Sequence, residues 1–311
     1  MVSPTRRREA VAYVRRRYRL SERRACRLVG QHRSTQRYTV VPDDFELRLV
    51  AAMNRLAETY PRYGYRIIHA MLVTEGWAVN RKRIERLWRL EGHRVPPRRK
   101  KRIGNDAKGA AANSIWNLPA MFPNHVWSLD FVSMRTTDGQ ALRILNVVDD
   151  FTRECLGTLV ARNIGAGDVK RFLAKLFARH GKPHFLRSDN GREFTAELLT
   201  SWLLDQDVEP APVEKASPQQ NAYVERFNGT MRDDLLNGEQ FHSVLEARVV
   251  IAEWVERYNT VRPHRGLGMK TPAQFAAEWR AQAKEIVGRP LNNPTSRQAR
   301  SSKAGTVERP V

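Results

Sequence analysis

Two spacings of apolar residues divide this chain. Up to about residue 95 they recur at helical intervals. Asp43 and Asp44 can cap a helix through about Tyr60, with Leu47, Val50 and Leu56 at helical spacing. Gly64–Leu72 predicts a short helix ending near Gly76. Asn80 then caps Arg81–Leu90, which Gly92 stops. In that segment Ile84, Leu87 and Trp88 face one way, while Arg81, Lys82, Arg83, Arg86 and Arg89 fill most of the rest. A helix, a short turn and a basic second helix predict a helix-turn-helix over about residues 43–95, its second helix entering the major groove. The alternative for that helix is a solvated charged face. A shorter pair precedes it, with Ser21 capping Glu22–Val29 and a new turn starting near Ser34. Residues 1–20 are so rich in arginine that the pattern places no element there.

From residue 126 the pattern alternates strands with helices. Val126–Val132 has strand composition and puts Val126, Ser128, Asp130 and Val132 on one face. Ala141–Val148 follows across an Asp138-Gly139 turn, a hairpin signal, and Leu156–Val160 is a third strand. A helix over about Asp168–Arg179 presents Val169, Phe172, Leu173, Leu176 and Phe177, with Gly181 as its stop. His184–Ser188 is a fourth strand running into Asp189-Asn190-Gly191, and helices near Ala196–Asp205 and Ala222–Leu236 follow. A hairpin unit followed by strand–helix alternation predicts an α/β layer fold.

Composition narrows the class. The 311 residues suggest about two domains, and no apolar run reaches the roughly 20 residues that span a bilayer. Two cysteines, Cys26 and Cys155, exclude a disulfide framework and a cysteine-rich zinc module. The expected location is cytoplasmic, with no membrane partner. The net charge of +21 points to a polyanion, with nucleic acid foremost. It is unevenly placed: residues 1–108 carry +18, residues 109–280 carry −1 and residues 281–311 carry +4. Pro96-Pro97-Arg98-Arg99-Lys100-Lys101-Arg102 and the small residues through Asn113 read as a linker. The expected division is thus a basic DNA-holding region (1–108), a near-neutral body (109–280) and a basic tail (281–311).

Three acids stand out in the body. Asp130 interrupts an apolar strand, Asp189 ends a strand where α/β folds often place their sites, and Glu225 lies in a predicted helix. Converging carboxylates repel one another unless a cation neutralises them, and hard divalent ions bind oxygen. Taken singly, each acid reads more readily as a cap, a turn or a surface charge than as a metal ligand.

The flanking residues decide between these. Val126-Trp127-Ser128-Leu129-Asp130-Phe131, Ser188-Asp189-Asn190-Gly191-Arg192-Glu193-Phe194 and Ser217–Thr230 resemble the three catalytic blocks of the DDE transposase and retroviral-integrase superfamily. Asp189 and Glu225 are separated by 35 residues, that family's D,D(35)E interval. Tyr258–Gly268 resembles its C-terminal signature, and Arg62–Arg66 with Asn80–Ile84 its helix-turn-helix segment. The likeness covers about residues 20–280 and is greatest to the second-frame product, OrfB, of the "IS three" group of bacterial insertion sequences.

The resemblance implies an RNase H-like catalytic core, a mixed sheet flanked by helices, behind an all-α helix-turn-helix region. It implies metal-dependent DNA cleavage and strand transfer, with Asp130, Asp189 and Glu225 holding Mg²⁺ or Mn²⁺, two ions in number. The expected partners are double-stranded DNA (element ends and target), further copies of this chain on that DNA, and an upstream-frame OrfA protein or a fusion with it. The Arg-rich start shows no heptad pattern, consistent with a zipper supplied by that other frame. Arg192, Ser217 and Arg226 stand where relatives often have Pro, Gly and Ser.

Further DNA-contact candidates are Arg262, His264 and Arg265, with packing the alternative for His264. Asn190 and Gly191 either shape the turn behind Asp189 or face DNA. Asp149 and Asp150 are expected to be structural, Glu193 is a rival to Glu225 whose motif instead matches the flank of the second block, and Trp127 and Trp202 are expected in the core. Two other functions fit parts of the pattern: a DNA-binding regulator with an inert core, and a nuclease that cleaves without joining.

Overall fold

The computed structural model describes residues 4–38, 43–95, 118–213 and 221–288. The linker expected at Pro96–Asn113, the Ser217–Gln220 start of the third acidic block, and residues 289–311 of the tail lie outside them. The chain divides into two compact units, Met1–Leu56 and Ala57–Val311.

The first unit holds α1 (Pro4–Tyr18), α2 (Glu22–Val29) and α3 (Arg33–Arg37). Helix α1 falls where the pattern placed nothing. Val11 is its one buried described residue, so arginines surround a single apolar anchor that packs against Ala25 and Cys26. Ser21 caps α2 as expected, its hydroxyl accepting the Arg24 N–H. Glu22 then binds Arg33 and Arg37 at 3.2 and 2.7 Å, tying α3 to α2. Helix α4 (Asp44–Thr59) crosses the division, its start capped by the Asp43 carboxylate accepting from Phe45 N–H.

The second unit begins with α5 (Tyr65–Thr74) and α6 (Arg81–Leu90). Asn80 caps α6 by accepting the Lys82 N–H at 2.9 Å, and Ile84, Leu87 and Trp88 are buried as the spacing predicts. Packing therefore groups α5 and α6 with the sheet-bearing unit, whereas charge groups them with α1–α3.

The sheet has five strands: β1 (Val126–Arg135), β2 (Ala141–Asp149), β3 (Cys155–Ala161), β4 (Phe185–Ser188) and β5 (Glu209–Pro212). Their order is β3-β2-β1-β4-β5, with β1–β2 and β2–β3 antiparallel, and β1–β4 and β4–β5 parallel. The pattern did not reveal β5. Its Glu-Pro-Ala-Pro sequence lacks two backbone donors, which only an edge strand tolerates, and β5 is an edge.

Helices α7 (Ala166–His180), α8 (Arg192–Thr195) and α9 (Glu197–Asp205) lie on one side, α10 (Ala222–Met231) and α11 (Val244–Thr260) on the other. Strand alternation makes this possible. Trp127 and Leu129 pack with Val169, Leu173 and Leu203, while Val132 and Ile144 pack with Val224, Phe227 and Trp254. Gly157 in β3 is required by the closeness of α7: a Cβ there would meet Leu176 Cδ2 at 2.9 Å. Trp127 is fully buried and Trp202 stacks on Phe177, so both belong to the core as expected.

A mixed sheet covered by helices on both faces is the RNase H-like α/β arrangement that the resemblance implied. Two boundaries differ from the pattern. The helix expected through Leu236 changes to a π-helical turn over Arg232–Leu236. Helix α12 (Pro272–Gly288) carries the chain past residue 281, so the first residues of the expected tail are helical. Among the described residues no helix is long and apolar enough to cross a membrane.

Candidate active site

Asp130 and Asp189 are brought level by strand pairing. Strands β1 and β4 run parallel with Ser128 opposite Arg187. Two residues further along each chain stand Asp130 and Asp189, the latter just past the end of β4. Asp130 lies on the α10 side of the sheet, directly across from Asn146 of β2. Burial pushes its carboxyl above the usual range and the Asp189 charge adds to that push, against hydrogen bonds from the Phe131 N–H and Asn228.

Asn228 sets the position of the third acid. Its Nδ2 donates to Asp130 Oδ2 at 2.8 Å, while its Oδ1 accepts from Asn146 Nδ2 at 2.7 Å. Asn221, at the start of the same helix, donates to the Leu129 carbonyl. These bonds clasp α10 to β1. Glu225 stands three residues before Asn228 and so is its neighbour on the helix surface, exposed where Asn228 is buried. Asn146 and Asn228 are hydrogen-bonded members of the candidate site that sequence reasoning did not single out. Asn228 lay within the third block; for Asn146, a polar residue among the apolar Ile144, Leu145, Val147 and Val148 was the available signal. Among the described residues no three His, Cys, Asp or Glu side chains lie close enough to hold a metal by themselves.

The turn after β4 shapes Asp189. Its Oδ1 accepts the Gly191 N–H at 3.1 Å, and a Cβ on residue 191 would stand 3.0 Å from that same oxygen. Asn190 donates to the Val213 carbonyl at 2.8 Å, anchoring the turn to the end of β5. Both residues therefore have structural work. Glu193 is bound to Arg143 at 2.6 Å, and this hydrogen bond holds its carboxyl below the usual range.

Asp149 and Asp150 are structural, as expected. Asp149 accepts N–H groups of Asn124, Phe151 and Thr152. Asp150 meets the buried Arg187 at 2.9 Å, and Arg187 also donates to the Leu118 carbonyl.

The DNA-contact candidates separate by exposure. On α6, Arg81, Lys82, Arg86 and Arg89 are exposed and Arg83 is half-buried; Arg89 also pairs with Glu85 on its own helix. Arg265 is exposed. Arg262 departs from expectation. It is 8% exposed, pairs with Asp234 at 2.5 Å and lies over the Tyr63 ring at 4.6 Å, so its guanidinium braces the interior. His264 packs edge-on against Tyr258. Burial, then the charges of Arg262 and Arg153, pushes its ring down to about 3, so at physiological pH it is neutral and adds no positive charge. Its contact with Tyr258 is a packing contact.

Known families align with these elements. The integrase core domain matches residues 122–218, and a second integrase core domain family matches 206–272. An HTH-like domain matches 44–101. An uncharacterized 39.2 kDa protein of insertion element IS476 from Xanthomonas euvesicatoria is 40% identical, over 90% of this chain and 80% of its own length. An uncharacterized 31.7 kDa protein of insertion element IS407 from Burkholderia multivorans is 40% identical, over 87% of this chain and 95% of its own. The transposase for insertion sequence element IS904 of Lactococcus lactis is 30% identical, over 69% and 87%.

Proposed function

We propose a site chemistry for a chain that belongs to the insertion-sequence transposases with an integrase catalytic core. As such it is a DDE-type polynucleotidyl transferase acting in transposition of an insertion sequence. The observation that carries the site reading is that Asp130 and Asp189 each stand two residues beyond the paired Ser128 and Arg187, beneath a helix clasped to Asp130 through Asn228.

Asp130, Asp189 and Glu225 form the acidic triad. The donor set fits Mg²⁺ or Mn²⁺: all ligands are oxygens, and Mg²⁺ takes only one or two protein carboxylates, completing its shell with water and phosphate oxygens. When bound, a pair of such ions supplies Lewis-acid activation of the attacking oxygen and neutralises charge on the leaving oxygen. The chain's own residues orient the ligands. Asn228 holds one oxygen of Asp130, the Gly191 N–H holds one of Asp189, and Glu225 offers a third carboxylate from the exposed side of α10. Arg81, Lys82, Arg83, Arg86 and Arg89 of α6, with Arg265, hold duplex phosphates. The working form is an oligomer on element-end DNA, joined by an upstream-frame protein or fused to it, in the bacterial cytoplasm.

An oligonucleotide carrying the element end tests this reading. With Mg²⁺ the wild type should nick it and join it to a target; chelation should stop both. Glu225→Gln should keep binding while cleavage falls by orders of magnitude. Undiminished cleavage by Glu225→Gln would remove Glu225 from the triad, and cleavage without joining would favour the nuclease. Equal transposition from plasmids bearing this frame alone or both frames would reject the partner.

A further inference from the structure

A cavity of about 910 Å³ opens beside α10, bounded by the start of α5, the start of α6 and the segment after α11. Arg66, Arg81, Arg153, Arg226 and Arg265 reach it, and among the described residues lining it none is acidic. It also has aromatic walls. Tyr223 is 38% exposed, with the Arg153 guanidinium lying 3.2 Å over its ring, and Tyr65 also lines the cleft. Tyr223 and Arg226 belong to the same helix as Glu225 but take a different face of it.

Size and chemistry together select an occupant. A space of this volume suits a ligand of a few hundred daltons rather than a double helix. Several arginines on a wall that carries no acid among the described residues call for an anion, and planar aromatic and guanidinium faces call for a flat ring. Unstacked bases are held on tyrosine and arginine planes while their phosphates meet cations. We propose that this cleft receives one or two unpaired nucleotides of the DNA strand being processed, a base against the Tyr223–Arg153 pair and phosphates on Arg66 and Arg265. The site would hold an unpaired stretch of the strand against the helix that also carries Glu225. It deepens the transposase reading and rests on it.

Binding is measured on the full chain with metal chelated, so that no cleavage enters. The probe is a fluorescent thymidine tetranucleotide, compared with a blunt duplex. Tyr223→Ala should weaken tetranucleotide binding about five- to hundredfold, and Tyr223→Phe should restore it. Arg66→Ala with Arg265→Ala should weaken it and lower its salt dependence. Arg179→Ala, an exposed arginine on α7 away from the cleft, should leave it unchanged. Each substituted side chain is at least partly exposed, and circular dichroism checks the fold. Wild-type affinity in Tyr223→Ala, or an equal loss in Arg179→Ala, would overturn the proposal. So would tetra-aspartate displacing the probe as well as unlabelled tetranucleotide does, since that would make the cleft a site for acidic peptides. Loss of tetranucleotide binding in Tyr223→Ala together with undiminished cleavage by Glu225→Gln would retain the cleft and reject the triad.

Discussion

Asn228 and Asp130, 98 residues apart, share a 2.8 Å hydrogen bond that fixes helix to strand and orients a carboxylate oxygen. Removing the amide in Asn228→Ala leaves the buried Asn146 Nδ2 without its oxygen acceptor and frees Asp130 to turn. Expected are a stability loss of about 1–3 kcal/mol and more than a tenfold fall in cleavage (1.4 kcal/mol being tenfold). Urea denaturation and nicking kinetics measure the two. Unchanged nicking would show that Asp130 is oriented without Asn228.

Gly191 tests the second carboxylate. Its φ is −58°, open to any residue, so alanine there adds crowding without backbone strain. The new Cβ would press on Asp189 Oδ1, 3.0 Å away. Gly191→Ala should keep the metal-free melting temperature close to wild type, yet shrink the upward shift that Mn²⁺ produces by binding the native state. A shift equal to wild type would mean that the ion does not depend on Asp189.

The Arg262–Asp234 pair predicts a contrast between neighbours. Both side chains are about nine-tenths buried, and deleting one partner leaves a buried charge. Arg262→Ala should cost about 3–5 kcal/mol, whereas Arg265→Ala, exposed, should stay within about 0.5 kcal/mol. Equal costs in denaturant titrations would contradict an internal Arg262.

His264 gives a pH dependence of known sign. Its ring titrates near 3 in the fold and near 6.5 when unfolded. Because the folded value is depressed, its stabilising contribution is complete above about pH 6.5 and is lost as pH falls towards 3. Between pH 7 and 5 the wild type should lose about 2 kcal/mol relative to His264→Phe. A pH-independent difference between the two would show the ring to be protonatable in the fold.

Helix α6 predicts a salt effect. If Arg81, Lys82 and Arg86 each neutralise a phosphate, replacing all three with alanine should lower the slope of log K against log salt by about 2.7. An unchanged slope would leave α6 as a solvated surface.

Local order was legible along the chain because it obeys local rules. The caps at Ser21 and Asn80 lie beside the N–H groups they satisfy, and the alternation in β1 separates the two faces that α7 and α10 cover. Asp130, Asp189 and Glu225 could be singled out because each sits in a distinctive run of neighbours. Other features had no such signal. Helix α1 hides its one buried anchor among arginines, and β5 is made of prolines that only its edge position permits. Arg262 looked like a phosphate ligand because nothing in Tyr258–Gly268 reveals that Asp234 and Tyr63 will enclose it. The same holds for the Asn146–Asn228–Asp130 chain, whose members lie 82 and 98 residues apart. Spacing along the backbone determines which face a side chain takes. What that face meets is decided only when distant segments pack, because hydrogen bonds and desolvation act over a few ångströms of space and take no account of sequence separation.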